Sequence, residues 1–195
     1  MASFSIHLAI GKRYLEKNNN INSIKEYKLG LIAPDLAPNK NETHYTTYLD
    51  KTNLEYYLDN RIQLYNYLKD NKVDNDYELG VFIHLITDYI FFAHFFDKEY
   101  IRSIDINIFN NDLYHSYDNV DNYVKTKYNL DYTGIKESID NAIMVARKKK
   151  NTSYNKGKDI IPKDKLDEFI EYVSDIDINK YIKEIIDNKK SILPY

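Results

Sequence analysis

Three residues with ligand chemistry stand in one of the most apolar stretches of the chain, GVFIHLITDYIFFAHFF from Gly80 to Phe96: His84, Asp88 and His94. Burying an ionised carboxylate without a partner is strongly unfavourable, so Asp88 requires a cation, a strong donor or a proton beside it. On a helix of about 3.6 residues per turn, His84 and Asp88 lie one turn apart, about 40° around the axis and roughly 6 Å along it, and both can reach one metal ion. An H-E-x-x-H helix brings its two imidazoles to one ion by the same spacing. His94 is different, because it lies roughly 15 Å beyond His84 and about 80° around the axis, and cannot share that ion on a straight helix.

The five histidines are His7, His44, His84, His94 and His115, all in the N-terminal three-fifths of the chain. His7 falls in the first turns of a first helix. Asp35 and His44 flank a Pro-rich segment whose restricted backbone could hold a carboxylate and an imidazole toward one point. His115 and Asp118 are three apart on a helix and share a face. Each has an ordinary use when taken singly: a core histidine bonded to a carbonyl, an Asp35 that caps or turns the chain after Pro34, a surface His115 beside a capping-type Asp118. Their joint pattern points to divalent metal. With no cysteine present, thiolate ligands and disulfides are excluded, and a metal site must use imidazoles, carboxylates or backbone oxygens.

Apolar spacing of three and four recurs along the chain while period-two alternation is scarce, which predicts an all-α fold. Helices are expected from Ser3 or Ser5 as cap to about Lys17, then at Leu54–Lys69, Tyr77 to about Phe96, Asn111–Lys127, Thr133–Lys149, Lys163–Ser174 and Ile178–Asn188. In the second of these, Leu54, Leu58, Ile62, Tyr65 and Leu68 form the inward stripe. The segment LGLIAPDLAPNKNETHY, with Gly30, Pro34 and Pro38, reads as a loop or short turns, and KKKNTSYNKGKD as a solvated connection. One helical domain over residues 1–195 is expected, with the metal site in 1–120 and helices in 133–190 packed on it. The net charge of −3, from 27 basic and 30 acidic residues, provides no field for nucleic acid or an anionic membrane. The basic run RKKKN at the end of a helix is the usual complement to its dipole and gives no strong nucleic-acid signal. The N-terminus lacks the pattern of a secretory leader and no uninterrupted apolar run reaches the ~18 residues of a transmembrane span, so a soluble, cytoplasmic protein is expected.

These residues resemble those of the bacterial zinc-dependent phospholipases C, whose all-helical fold and trinuclear zinc site are shared with fungal single-strand-specific nucleases. The most specific likeness is H-x-x-x-D-x-x-x-x-x-H, formed by His84, Asp88 and His94 in a long apolar helix. HLAIGKRYL at His7 is similar to the family's first-helix ligand segment, and GLIAPDLAPNKNETHY to its segment carrying an Asp and then a His. The resemblance implies that Asp35, His44, His84 and Asp88 surround one zinc, and that Asp88 bridges to a second held by His7 and, in secreted relatives, by the terminal amine and carbonyl. It implies a third ion at His94 and His115 with a carboxylate. The family places a Glu four residues after that last His; here position 119 is Asn and the nearest acid is Asp118.

The implied activity is hydrolysis of phosphate esters, a phospholipase C-like phosphodiesterase with two or three zinc ions that activate a water. Asp35 is the candidate to accept or orient that water's proton. The substrate class is a small-molecule or lipid phosphodiester. Manganese, iron or nickel would suit the same donors. Other readings are a non-catalytic helical metal-binding or interaction module, a single-strand nuclease-like enzyme, and an HD-type phosphohydrolase, the last disfavoured because the chain has no His-Asp dipeptide.

Overall fold

Among the described residues, amphipathic spacing forms eleven helices: α1 (Phe4–Lys17), α2 (Ile24–Leu36), α3 (Lys40–Thr43), α4 (Leu54–Asp59), α5 (Leu64–Asp70), α6 (Asp76–Phe95), α7 (Lys98–Ser103), α8 (Ile106–Lys127), α9 (Lys136–Lys150), α10 (Lys163–Ser174) and α11 (Ile178–Asn188). The computed structural model describes residues 2–46, 52–150 and 157–194, and among them there is no strand; the fold is all-α. Short polar side chains open the framing helices. Ser23 accepts from the Glu26 amide at α2, Asn75 from Glu78 at α6, and Asp105 from Asn107 and Ile108 at α8, each such cap being worth about 1 kcal/mol.

α6 is the axis of the molecule. Residues on every side of it are buried, from Gly80 through Phe92, because α1, α2, α5 and α10 all lie against it. By length and composition this helix could also cross a membrane, which a count of uninterrupted apolar residues overlooks, but 67% of its apolar window is buried inside the fold. The closest approach is to α2, where Gly30 and Gly80 meet. A Cβ on Gly30 would stand 2.1 Å from the Tyr77 carbonyl oxygen, and one on Gly80 would stand 2.3 Å from that of Tyr27. Only hydrogen fits between the two backbones, and this contact sets the height at which α2 passes α6.

The segment around Gly30 and Pro34 is therefore a helix rather than a loop. Gly30 is there for close approach, Pro34 sits in the last full turn, and the chain leaves the helix at Ala37 just before Pro38. The single helix expected over Leu54–Lys69 is broken at Asn60–Gln63. Its would-be helical bonds are replaced by tertiary ones: Thr46 Oγ1 donates to the Arg61 carbonyl at 2.6 Å, and the Gln63 amide to the His44 carbonyl at 3.2 Å. Past the break the buried positions are Leu64 and Tyr67, while Tyr65 and Leu68 are only partly covered. The short α7 was not expected, and α8 starts at Ile106 rather than Asn111 because Asp105 caps it. In the connection before α10, residues 151–156 lie outside the described ones; beyond them, the Lys158 amide donates to Asp112 Oδ1 and that of Ile160 to Ser116 Oγ, which straps residues 157–161 onto α8.

Candidate metal centre

Four segments converge on one buried point. α6 presents His84 and Asp88 from one face, α1 supplies His7, the end of α2 supplies Asp35, and His44 follows directly on α3. Ligand atoms of His7, Asp35 and His84 lie within 4.8 Å of one another, as do those of His44, His84 and Asp88. All five side chains are buried, with His7, His84 and Asp88 at 0% exposure.

The imidazoles are oriented from behind. His84 Nδ1 lies 2.8 Å from the Leu31 carbonyl and His44 Nδ1 lies 2.8 Å from the Lys40 carbonyl. A carbonyl can only accept, so Nδ1 carries the proton and, in the neutral ring, Nε2 is a bare lone pair aimed inward. Metal-bound histidines are held in this way. The two Nε2 atoms face each other across 3.3 Å. Lone pairs do not bond lone pairs, so this contact calls for a proton or a cation.

Asp88 stands between the two groups. Its Oδ1 is 3.4 Å from His7 Nε2 and accepts from the Ala2 amide at 2.5 Å; its Oδ2 is 3.2 Å from His44 Nε2 and 3.4 Å from His84 Nε2. Three buried atoms here, His7 Nδ1, His7 Nε2 and Asp88 Oδ2, have no hydrogen-bond partner. Folded proteins leave few buried polar atoms unpaired, and such atoms call for an explanation. Divalent cations held by the two groups would satisfy His7 Nε2 and Asp88 Oδ2. The donor set of imidazoles and carboxylates suits zinc.

The electrostatics agree. Burial, aided by the nearby His84, pushes the His7 imidazole down to about 4, which leaves it neutral and ligand-competent at neutral pH. Burial also opposes charge on His84, yet Asp88 and Asp35 hold its pKa above the usual value, a sign that this point favours positive charge. Burial alone would raise Asp35. Lys40, whose Nζ is 2.7 Å from Asp35 Oδ1, overrides it together with His84 and His44 and holds the carboxyl down at about 2. Asp88 is likewise held well below the carboxylate range against its burial, by the groups that face it, His7 and His44 among them.

The start of α1 is fixed from outside. Ser3 occupies the N-cap position, but its side chain caps nothing; it donates to Asp121 Oδ1 at 2.6 Å, and Ser5 donates to the same oxygen. Asp121 is on α8, and it gives α1 the negative charge that its own first turn lacks. Ala2 and His7 are thereby anchored over Asp88.

Of the eight residues singled out by sequence, the structure brings together His7, Asp35, His44, His84 and Asp88. Among the described residues it does not bring His94, His115 or Asp118 into either group. His94 hydrogen-bonds the Lys165 main chain and lies against the rings of Phe95 and Phe169. His115 Nε2 is 3.3 Å from Asn119 Nδ2 and 3.8 Å from Asp159 Oδ1, and Asp118 is exposed. Sequence reading missed Lys40, Leu31, Ala2 and Asp121. Lys40 carried a signal, standing four residues before His44 and five after Asp35. Main-chain groups of Leu31 and Ala2 carry none.

The family described as zinc dependent phospholipase C matches residues 6–184, most of the chain. The chain belongs to that family. No curated protein and no solved structure matches it. The all-α fold is the one expected of a zinc-dependent phospholipase C, and the two His/Asp groups are residues that could hold the family's metal. Membership supports a phospholipase C-like hydrolase acting on a lipid substrate.

Proposed function

We propose that this protein hydrolyses the phosphodiester bond of a phospholipid or a small-molecule analogue, releasing an alcohol and a phosphomonoester. The observation that carries the reading is the convergence of unpartnered buried atoms, His7 Nε2 and Asp88 Oδ2, on a point lined by two further imidazoles and Asp35. His44, His84 and Asp88 would hold one zinc and His7 with Asp88 a second, with Asp35 beside them at the edge of the site. Bound zinc supplies Lewis acidity at a phosphoryl oxygen and lowers the pKa of water.

The side chains do the rest. Asp35 is ionised, buried, and held by Lys40 at the edge of the group, which suits it to accept or orient the proton of the attacking water. The water oxygen bonds to phosphorus as the phosphorus–oxygen bond to the leaving alcohol breaks, and the alcohol oxygen takes up a proton. Asp88 offers one oxygen to each side of the site and keeps the two groups in register. Leu31 and Lys40 carbonyls keep the imidazoles in the tautomer that leaves Nε2 available.

The test pairs elemental analysis of protein purified without chelator with hydrolysis of phosphatidylcholine vesicles and bis(p-nitrophenyl) phosphate. About two equivalents of zinc with turnover of either substrate is expected. Metal-free protein that is fully folded would favour the interaction module instead.

A further inference from the structure

Among the described residues, Arg61 is the one arginine whose side chain has no acidic partner. Arg13 pairs with Glu16 and Glu171, and Arg102 with Glu55. The Arg61 guanidinium instead lies over two rings, 5.1 Å from the Tyr57 centroid and 5.3 Å from that of Phe92, and among the described residues it donates no hydrogen bond. A guanidinium has five N–H donors in a planar fork, and ring contacts satisfy its faces while leaving its edge unused. Half-buried arginines ordinarily find an acceptor for that edge.

The position of this side chain explains why its edge matters. Phe92 is one turn after Asp88 on α6, so the ring under the guanidinium is on the ligand-bearing face. The backbone around Arg61 is tied to the other side of the site, with its carbonyl accepting from Thr46 Oγ1 and the Gln63 amide bonded to the His44 carbonyl. These bonds break the helix between α4 and α5. Without that break, the turn carrying Arg61 would not lie against the His44 segment. Burial and Asp88 push the pKa of the buried Tyr117 up while Arg61 pulls it down, so one phenol feels both the ligand carboxylate and the guanidinium.

We propose that Arg61 is a substrate-binding residue of the metal centre, whose free guanidinium edge takes the phosphate oxygens of substrate and product. The proposal rests on the phosphoester reading above and adds to it the group that recognises the anion. A fixed cation resting on two rings needs no reorganisation to meet a phosphate, and paired N–H donors match two oxygens of one phosphate.

Titration of inorganic phosphate into the zinc-loaded protein tests the assignment by calorimetry. Arg61→Met should weaken phosphate binding by about tenfold to a hundredfold, with zinc content unchanged and the loss appearing chiefly in KM for bis(p-nitrophenyl) phosphate. Phosphate affinity within about twofold of the parent protein would overturn it. A second measurement needs no variant: phosphate should protect Arg61, but not Arg13 or Arg102, from phenylglyoxal, read by peptide mass spectrometry. Equal labelling of Arg61 with and without phosphate would likewise overturn it. Zinc-loaded protein that binds phosphate through Arg61 yet cleaves no phosphodiester would defeat the hydrolase reading and leave the anion site standing.

Discussion

The middle of α6 and its C-terminal end carry the same kind of residue in different settings. In the middle, His84 meets His7, His44, Asp35 and Asp88; its ring stacks on His7 with centroids 3.8 Å apart, and its Nε2 points at other ligand atoms. At the C-terminal end His94 is surrounded by Phe95 and Phe169, within a ring cluster that also takes in Phe91, Phe96 and Tyr117. Burial lowers the pKa of His94, and no carboxylate there restores it above the usual value as Asp88 and Asp35 do for His84. The difference lies in what the neighbouring helices bring. α1 and α2 deliver acceptors and imidazoles to His84, whereas α10 delivers Phe169 and a main-chain bond to His94. Identical side chains on one helix become ligand or packing according to their partners.

The comparison breaks most sharply at Asp88. Asp88→Asn removes the charge that faces both groups, and zinc content should fall toward zero with activity reduced about a thousandfold, measured by elemental analysis and turnover on one sample. Full activity in that variant would remove the metal centre as the catalytic site. Asp35→Asn separates binding from chemistry: zinc should remain and kcat should drop about a hundredfold or more. If zinc is lost as well, Asp35 is a ligand first.

Smaller effects sharpen the contrast. Asp121→Ala frees Ser3 and Ser5 and loosens the segment that holds Ala2 and His7 over Asp88, so zinc affinity measured with a competing chelator should weaken about tenfold, as for other residues one step behind a ligand. Unaltered affinity would reduce Asp121 to an ordinary buried acid. The least change is expected from His94→Gln, which should cost about 1 kcal/mol of stability through lost packing and hydrogen bonding while leaving the zinc at His84 in place. A full equivalent of zinc lost in this variant would show that both His84 and His94 bind metal.

Much of the fold was legible because helical periodicity is local. The bounds of α1, α6, α10 and α11 follow from apolar spacing and local turn residues, with side-chain caps opening α6 and α11. Failures occurred where tertiary contacts override local preference. Gly30 and Pro34 are poor helix residues by propensity, yet the backbone contact with Gly80 repays helix at α2. Arg61 and Gln63 lie in a good helical pattern, yet bonds to the Thr46 and His44 segment stop it.

Residue types and spacing by themselves determined an all-α chain, the absence of thiol chemistry, and the pairing of His84 with Asp88 one turn apart. These are properties of composition and of a helix's own geometry. Which distant groups reach that pair was decided only in three dimensions: His7, Asp35 and His44 meet it because α2 crosses α6 at a height set by backbone contact and α1 packs on both, and two main-chain carbonyls turn the rings. Orientation of an imidazole depends on the acceptor behind it, and a carbonyl of Leu31 is the same in the sequence as that of any other residue.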